Sequence, residues 1–142
     1  MPELPEVETV KESLKLRLSN KKIIRARVLW DNIIAYPGKD EFIKEIANQT
    51  IRDVKRRGKF LMFDLDDYFL LSHLRMEGKY FFKKSSDSID KHEHVIFELD
   101  DNTELRYRDT RKFGKMYLIK KEDIDKIGPL VELGLEPWDD KL

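Results

Sequence analysis

The chain begins with MPELPEVETV, residues 1–10, and the fold and chemistry predicted for the rest depend on what this stretch does. Removal of the initial methionine would make Pro2 the terminus and place its secondary amine beside the carboxylates of Glu3 and Glu6. An amine nucleophile next to general acids supplies the groups that Schiff-base chemistry needs. The same residues also suit an ordinary helix start, because Pro5 fits the first helical position and acidic side chains favour the positive end of the helix dipole.

Length and composition limit the class of protein. The 142 residues are enough for one domain with a buried core. Charged residues make up 39% of the chain and hydrophobic residues 40%, which predicts a thin core under a heavily solvated surface. Lysine plus arginine number 28 and aspartate plus glutamate number 28, so the formal net charge is zero. That balance argues against a strongly basic nucleic-acid-binding protein but leaves open how the charges are arranged.

The residue types that are missing or rare limit which cross-links and metal sites the chain can form. Without cysteine, the chain can form neither disulfides nor thiolate metal sites. Its three histidines, His73, His92 and His94, are too few and too scattered to predict a metal site. No apolar run approaches the roughly 18 residues of a membrane span, and the acidic N-terminus is unlike a signal peptide. We therefore expect a soluble, cytoplasmic protein with no membrane contact.

Hydrophobic periodicity predicts a long N-terminal helix at about residues 5–18. Val7, Val10, Leu14 and Leu18 recur there at helical spacing and form one apolar stripe. The stripe would bury one flank of the helix against the rest of the domain. The N-terminal end of the helix would then stay free to face a ligand.

The remainder of the chain is predicted to be mainly strands and turns. The expected fold is α+β and β-rich: an antiparallel β-sandwich or flattened barrel of about eight strands, with the long N-terminal helix and short flanking helices. Each strand is a short run of β-branched, aromatic or alternating residues between turn signals; the runs are 23–30, 50–55, 60–65, 68–74, 79–83, 94–99, 103–107 and 116–119. Short helices are expected at 40–47 and 122–127, and the polar segment 85–91 is expected to be a mobile loop.

A basic turn is predicted at residues 56–59, RRGK, with Arg52 and Lys55 just before it. A glycine-bearing basic turn can hold phosphate oxygens, and Lys59 could place a point charge beside one of them. A solvated basic turn without a ligand is an equally common use of such residues. The turn is therefore a candidate phosphate site with an ordinary alternative.

Residues 72–79, SHLRMEGK, hold two further candidates. His73 could donate a hydrogen bond to a phosphate, or it could be an ordinary hydrogen-bonded strand histidine. Met76 is flexible and apolar beside a predicted turn, so it could enter a gap between bases, although methionine is more common in a core.

Residues 106–115, RYRDTRKFGK, place five cations around one phenylalanine in a stretch that resembles a turn. An exposed Phe113 among cations suits a wedge between stacked bases, with Arg111 filling the space left by an extruded base. The competing interpretation is an ordinary hairpin with Phe113 in the core, where phenylalanine usually lies.

Together these stretches resemble one protein family in order and spacing. PELPE at 2–6, RGK at 57–59, SHLRMEG at 72–78 and DTRKFG at 109–114 are similar to formamidopyrimidine-DNA glycosylase, and the resemblance covers essentially the whole chain. Leu4 favours the purine-directed branch, because the related endonuclease VIII branch usually has glycine there. Thr110 departs from the family, which commonly has proline at that position, but the change removes no functional group.

The resemblance implies catalytic roles for four residues. Pro2, as the mature N-terminus, resembles the nucleophile that attacks the anomeric sugar carbon, and Glu3 resembles the acid that protonates the sugar ring oxygen. Glu6 would position or relay protons at that site, and Lys59 would contact the DNA backbone and assist excision. The implied activity is that of a base-excision-repair DNA glycosylase and abasic-site lyase. It would remove oxidised purines, namely 8-oxoguanine and formamidopyrimidines, and cut the strand by β,δ-elimination.

The resemblance also implies DNA-binding roles for four residues. His73 would bind a phosphate near the lesion, while Met76, Arg111 and Phe113 would enter the duplex where the damaged nucleotide leaves it. Arg111 would face the orphaned base, and Phe113 would wedge beside it. The implied partner is damaged double-stranded DNA, bound by a monomer in the bacterial cytoplasm and at the nucleoid.

The family also has a second half, with a helix–two-turn–helix module and a four-cysteine zinc finger, that this sequence lacks. Residues 1–142 are therefore expected to be the N-terminal catalytic domain, with no cofactor of their own, because the zinc site belongs to the other half. We expect weak or undetectable turnover, since each lost phosphate contact weakens binding. A retained Met1 would also block the reaction, because the nitrogen of Pro2 would be an amide. The alternative is a DNA-binding β-sandwich without catalysis.

Overall fold

The computed structural model describes residues 4–57, 60–74 and 78–123, without the side chains of residues 4–7. This part of the chain contains two α-helices, two short 3₁₀ turns and nine strands. In chain order the helices and strands are α1 Leu4–Leu18, β1 Ile23–Val28, β2 Ile34–Tyr36, α2 Lys39–Ile46, β3 Asp53–Arg57, β4 Phe60–Asp64, β5 Tyr68–His73, β6 Lys79–Lys84, β7 Glu93–Leu99, β8 Thr103–Arg108 and β9 Lys115–Lys120.

The described strands form two sheets. Four strands pair in the order β1-β7-β8-β6, and five pair in the order β2-β9-β5-β4-β3. Buried side chains of both sheets, such as Phe63 on β4 and Leu105 on β8, share one hydrophobic cluster, so the two sheets pack as the layers of a sandwich. The predicted α+β, β-rich sandwich with a long N-terminal helix is confirmed.

The structure differs from the sequence prediction in the details of the strands. The described residues form nine strands rather than about eight, because the run predicted at 23–30 ends at Val28 and the short strand β2 follows a 3₁₀ turn. β2 is parallel to β9, whereas the other pairs are antiparallel. The run predicted at 50–55 begins at Asp53 and continues to Arg57, so half of the predicted basic turn lies in β3. The helix predicted at 122–127 lies mostly outside the described residues.

Both helices bury the faces that the sequence predicts to be apolar. Leu14 and Leu18 of α1 lie in the main hydrophobic cluster, and Val10 packs against it. Phe42 and Ile46 of α2 are fully buried in the same cluster. Burial of each large aliphatic or aromatic side chain contributes about 1.5–3 kcal/mol, which is enough to hold a short helix such as α2 on the sheet.

Helix α1 runs antiparallel to β3. Lys15, in the last turn of the helix, lies 3.4 Å from the carboxylate of Asp53 at the start of the strand. Near the other end of the helix, the Nε of Arg56 donates to Glu8 Oε1 at 2.8 Å. The start of α1 therefore lies beside the end of β3 that leads to residues 58–59.

The polar segment 85–91, predicted to be mobile, is tied to the sheet by one fully buried arginine on β8. Arg106 donates hydrogen bonds of 2.9–3.1 Å to the backbone carbonyls of three residues, Lys84, Asp87 and Ser88. A guanidinium is a rigid fork of donors, so it holds several carbonyls in one arrangement. The segment is therefore an ordered part of the four-stranded layer.

Candidate functional site

One end of the five-stranded sheet gathers three segments that carry predicted site residues. The strand register places Phe60 opposite both Arg57 and His73, and it places His73 opposite Lys115. Because paired residues lie side by side across a sheet, these positions form one row at one edge. In the chain, Arg57 comes directly before residues 58–59, His73 comes shortly before residues 75–77, and Lys115 directly follows the loop 109–114.

The start of α1 lies at the same end, because Glu8 is hydrogen-bonded to Arg56 at the end of β3. Several predicted site residues lie outside the described residues: Pro2, Glu3, Lys59, Met76 and the side chain of Glu6. Their catalytic and DNA-binding roles stay predictions. The described segments that adjoin them in the chain do converge on one end of the domain.

Cations just before and along β3 are paired with carboxylates of the domain. The pairs are Arg52 with Asp66, Lys55 with Asp64 and Arg56 with Glu8, at 2.8, 3.9 and 2.8 Å. Pairing of this kind balances charge locally and reduces the attraction for an added anion. The phosphate site predicted at this turn stays a prediction, because residues 58–59 lie outside the described residues.

Glu8 links the start of α1 to β3 through charge. Hydrogen bonds from Lys11 and then from Arg56 hold the pKa of the Glu8 carboxyl below its usual value. Lys11 Nζ lies 2.6 Å from Glu8 Oε2 within the helix. Glu8 is therefore ionised at neutral pH, and the helix start is fastened to the strand by a charge-assisted hydrogen bond.

His73 is the last residue of β5, and only 8% of its surface is exposed. Its ring packs edge-on against Phe60, with the ring centroids 4.8 Å apart. This packing fixes the imidazole at the edge of the sheet, next to the segment 75–77. The phosphate-binding role of His73 stays a prediction, and the structure supplies the fixed position that such a role requires.

The loop between β8 and β9 is organised by the fully buried carboxylate of Asp109. Its Oδ1 accepts hydrogen bonds from the backbone N–H groups of Arg111 and Lys112, at 3.1 and 3.0 Å. Its Oδ2 accepts from the N–H of Gly114 at 2.8 Å and from the Tyr107 hydroxyl at 3.0 Å. An aspartate that bonds the backbone two to five residues ahead replaces the missing strand partners and fixes a tight turn.

Phe113 is held outward by this turn. It is 52% exposed, so the alternative of a hairpin with Phe113 in the core does not describe this structure. Because about half of the residue is exposed, it forgoes about 1 kcal/mol of hydrophobic free energy, roughly half of what full burial contributes. Arg111 is exposed beside it, and Lys112 has a φ of 59°, in the left-handed region typical of tight turns. The loop thus carries an apolar ring, Phe113, and a cation, Arg111, at the surface of the domain.

The five cations of residues 106–115 do not all surround Phe113, contrary to the sequence prediction. Arg106 is fully buried in the opposite layer, and Arg108 lies 3.3 Å from the carboxylate of Asp90. The sequence could not reveal this, because alternation along β8 places neighbouring cations in different environments. Arg111 and Lys112 are the exposed cations within the loop itself.

Trp30 anchors the far side of the loop, and sequence reasoning did not find it. The Nζ atoms of Lys112 and Lys115 lie 5.1 and 5.7 Å from the centre of the Trp30 ring, within the range of cation–π attraction. Lys115 Nζ also donates to the carbonyl of Asn32 at 2.9 Å. Trp30 and the loop are about eighty positions apart in sequence, so only the fold brings them together.

His94 supports the loop from β7, and it too was missed. Its Nε2 lies 2.8 Å from the carbonyl oxygen of Asp109, and because a carbonyl can only accept, Nε2 carries the proton. The N–H of Asp109 donates to the carbonyl of His92 at 2.9 Å. Asp109 is therefore held on its backbone as well as its side chain. A DTRKFG motif with a leading aspartate was the available signal for this turn.

Two further features concern membranes and metals. Neither helix in the described part of the chain is long and apolar enough to cross a membrane. Within residues 4–57, 60–74 and 78–123, no group of three or more His, Cys, Asp or Glu residues is placed to hold a metal ion.

Comparison with known proteins defines the class to which this domain corresponds. The family model for the formamidopyrimidine-DNA glycosylase N-terminal domain matches residues 1–116. The chain belongs to this family. Formamidopyrimidine-DNA glycosylase of Bacillus subtilis is 50% identical over 138 residues, which are 96% of this chain and 50% of that protein. The protein of that name from Oceanobacillus iheyensis is 51% identical over 142 residues, which are 98% of this chain and 50% of that protein.

Solved structures agree with the sequence comparison. Lactococcus lactis Fpg in complex with DNA containing an abasic site has a TM-score of 0.82 and 39% identity, over 87% of this chain and 46% of that chain. The complex of Lactococcus lactis Fpg with FAPY-dG-containing DNA has a TM-score of 0.81 and 39% identity, over 86% of this chain and 46% of that chain. The chain thus spans about half the length of the relatives that it matches. The resemblance predicted from the sequence is confirmed.

Proposed function

We propose that this chain supplies the nucleophile and the base-displacing loop of a base-excision-repair DNA glycosylase and abasic-site lyase. The observation that carries the proposal is the convergence of the start of α1, the end of β3 and the exposed Arg111–Phe113 loop at one end of the domain. The proposed substrates are 8-oxoguanine and formamidopyrimidines in double-stranded DNA. Membership of the family and solved relatives bound to damaged DNA support this proposal.

In the proposed reaction the amine of Pro2 attacks the anomeric carbon of the damaged nucleotide while Glu3 protonates the sugar ring oxygen. The bond to the base breaks, the sugar ring opens, and the amine and the sugar carbon form an iminium. This iminium draws electrons from the neighbouring carbon, so that loss of a proton there expels one phosphate and a second elimination expels the other. Glu6 relays protons, and Lys59 contacts the DNA backbone.

The nucleophile must be neutral to react, and its surroundings act on it in opposite directions. A terminal α-amino group has a pKa near 7.7–8.0 in model peptides, so neutral pH already leaves part of it uncharged. The positive end of α1 disfavours the ammonium form, while the carboxylates of Glu3 and Glu6 favour it. The attachment of the helix start to β3 through Glu8 and Arg56 fixes the direction in which this end of the helix points.

The exposed loop would displace the base. Unstacking a base step costs a few kcal/mol, and burial of the exposed half of Phe113 between bases would return about 1 kcal/mol of that cost. Arg111 would place donors opposite the orphaned base, as an arginine can on a base edge. Met76 would enter the same gap, and His73 would bind a phosphate beside it.

The 142 residues alone should bind DNA weakly. The second half that the resemblance implies, with its zinc finger, would add phosphate contacts, and each such contact contributes about 0.9 to the slope of log affinity against log salt. We expect a shallow salt slope and low duplex affinity for this chain. We further propose a monomer that acts in the bacterial cytoplasm, at the nucleoid, in agreement with the bacterial origin of the named relatives.

Borohydride trapping on abasic-site DNA tests the proposal, because it reduces the iminium to a stable covalent bond. Intact mass first establishes whether Met1 has been removed. We expect an adduct from chains that begin at Pro2 and a strongly reduced yield from Pro2→Gly. The matched control is the same chain with Met1 retained, in which the nitrogen of Pro2 is an amide.

Single-stranded abasic DNA is the second substrate in this experiment, because it needs no base displacement and little grip. An adduct on single-stranded DNA with little on duplex supports a competent nucleophile in a weakly binding domain. Absence of an adduct on both substrates, from a verified Pro2 terminus, contradicts the catalytic proposal. Duplex binding without any adduct would then identify a DNA-binding β-sandwich without catalysis.

A further inference from the structure

A buried tyrosine hydroxyl contacts the backbone of two glycines, Gly78 and Gly114, which lie close in the chain to side chains that are proposed to enter DNA. Tyr107 is fully buried on β8, and its hydroxyl donates to Oδ2 of Asp109 at 3.0 Å. Gly78 directly follows the segment 75–77, and Gly114 directly follows Phe113. Both glycine backbones pass so close to the tyrosine hydroxyl that neither position has room for a β-carbon. One hydroxyl group therefore touches both glycine backbones.

The contact at Gly114 is reinforced by the carboxylate of Asp109. A β-carbon added to Gly114 would lie 2.9 Å from Cζ of Tyr107 and 3.0 Å from Oδ2 of Asp109. That same oxygen accepts the N–H of Gly114 at 2.8 Å and the hydroxyl of Tyr107. The end of the Arg111–Phe113 loop is thus held by a three-way contact centred on one oxygen atom.

The contact at Gly78 is closed from its other side by β5. The N–H of Gly78 donates to the carbonyl of Leu74 at 3.0 Å, and a β-carbon on Gly78 would lie 2.5 Å from that oxygen. Gly78 is therefore wedged between the continuation of β5 and the hydroxyl of Tyr107. Movement of the tyrosine hydroxyl would release Gly78 and Gly114 together.

Tyr107 itself is in a position that does not move independently. It lies on β8, in the interior of the four-stranded sheet, paired with Tyr80 on one side and Val95 on the other. The rings of Tyr107 and Tyr80 are 5.2 Å apart. Because its backbone is paired on both sides and its ring packs against Tyr80, Tyr107 provides a fixed contact for Gly78 and Gly114.

We propose that Tyr107 is a positioning residue that couples the backbone at Gly78 to the Arg111–Phe113 loop, so that Met76, two residues before Gly78 in the chain, enters DNA together with Arg111 and Phe113. This inference rests on the proposed function of those three side chains. Side chains that insert at one base step must arrive in register, and each independently mobile loop adds an ordering cost on binding. A single contact shared by Gly78 and Gly114 removes one of these ordering costs and fixes the spacing between the two backbones.

Amide hydrogen exchange in this chain tests the coupling without DNA. Tyr107→Phe removes the hydroxyl and keeps the ring, so exchange should accelerate about fivefold at both Gly78 and Gly114, as expected for loss of one hydrogen bond. Tyr80→Phe is the matched control, because its hydroxyl donates to Ser72 at 2.6 Å. Acceleration at only one glycine, at neither, or equally in Tyr80→Phe would overturn the coupling.

A second measurement separates positioning from general stability. We compare borohydride trapping on duplex and on single-stranded abasic DNA, since insertion is needed only on the duplex. Tyr107→Phe should lower the duplex-to-single-strand ratio, and Tyr80→Phe should keep the wild-type ratio. A fall of both yields by one factor, or an unchanged ratio, overturns the proposal. If wild-type protein traps neither DNA, the proposed function fails, and the exchange comparison alone decides the coupling.

Discussion

Two loops beside β8 are each organised by one fully buried charged residue, and they are built in opposite ways. Asp109 accepts hydrogen bonds from backbone N–H groups of the loop before β9, whereas Arg106 donates to backbone carbonyls of the segment after β6. The charge of Arg106 is matched by the buried carboxylates of Glu93 and Glu104, at 3.0 and 2.8 Å. The carboxylate of Asp109 is satisfied by peptide N–H groups and a phenol.

The two loops differ in what surrounds the charged residue that holds each of them. The guanidinium of Arg106 holds the backbone of its loop and belongs to a buried ion network with Glu93 and Glu104. The carboxylate of Asp109 belongs to no ion pair among the described residues and accepts from three backbone N–H groups and the Tyr107 hydroxyl, and Arg111 and Phe113 in its loop are exposed. Both loops are thus fixed through their peptide groups and keep exposed residues, but only the Arg106 loop is tied to a buried ion network. The four predictions below test this contrast.

The largest effect is expected from Arg106→Met. The substitution leaves Glu93 buried without its counter-charge, leaves Glu104 with only Arg27 at 3.5 Å, and releases three backbone carbonyls. The free energy of unfolding should therefore fall by about 3–5 kcal/mol. Urea unfolding measures the loss. The matched control is Arg108→Met on the same strand, whose partner Asp90 is at the surface. Equal losses in the two variants would show that the buried network stabilises the fold no more than a surface ion pair does.

Asp109→Asn should have the next largest effect. The amide keeps the shape of the side chain but cannot accept hydrogen bonds at both of its terminal atoms, so about 2–3 kcal/mol of stability should be lost. Hydrogen exchange should accelerate at residues 111–114. Asp101→Asn is the control, because Asp101 accepts the N–H of Thr103 at 3.0 Å in an exposed turn. A similar loss of stability in the control would contradict the special role of the Asp109 turn.

Glu8→Gln tests the link between the helix start and β3 through its pH dependence. The folded-state pKa of Glu8 is lowered from 4.5, so its contribution to stability is present above that pH and disappears as the pH falls through the folded-state value. The stability difference between wild type and variant should be small and positive at pH 7 and should vanish in acid. Urea unfolding at both pH values measures it.

The control for Glu8 is Glu12→Gln, since Glu12 pairs with Lys11 within the helix. Its removal should leave the attachment to β3 intact. A difference for Glu8→Gln that persists unchanged into acid would show that the side chain acts through packing and not through charge.

Phe113→Ala should have the smallest effect on stability, within about 0.5 kcal/mol, because the ring is largely in water. Duplex trapping should nevertheless fall while single-strand trapping stays unchanged. The matched variant is Phe97→Ala, in the core, which should lose about 3–5 kcal/mol. A large loss of stability in Phe113→Ala would mean that the ring supports the fold, and the proposed wedge would have to be abandoned.

Much of the fold could be predicted from local pattern. The stripe that includes Leu14 and Leu18 identified α1, and alternation with turn signals located most strands, because each depends on neighbours within a few residues. Strand β2 was missed because three residues carry too little pattern to register. Its parallel pairing with β9 depends on contacts far away in the chain.

The position of the exposed loop could be predicted from its sequence motif, but the burial of individual residues could not. DTRKFG pointed to Arg111 and Phe113, but the sequence alone left the exposure of Phe113 open. Arg106 and Arg111 are both arginines in one ten-residue stretch, and only tertiary packing makes the first fully buried and the second exposed. The support from Trp30 comes from a part of the chain about eighty positions away.

The most direct test of the account is to locate the covalent bond. After borohydride trapping on abasic DNA, digestion of the adduct with trypsin and mass spectrometry should place the reduced sugar on the peptide 2–11, at the nitrogen of Pro2. A modification on Lys59 or on another lysine would contradict the account, as would an unmodified N-terminal peptide in a trapped complex.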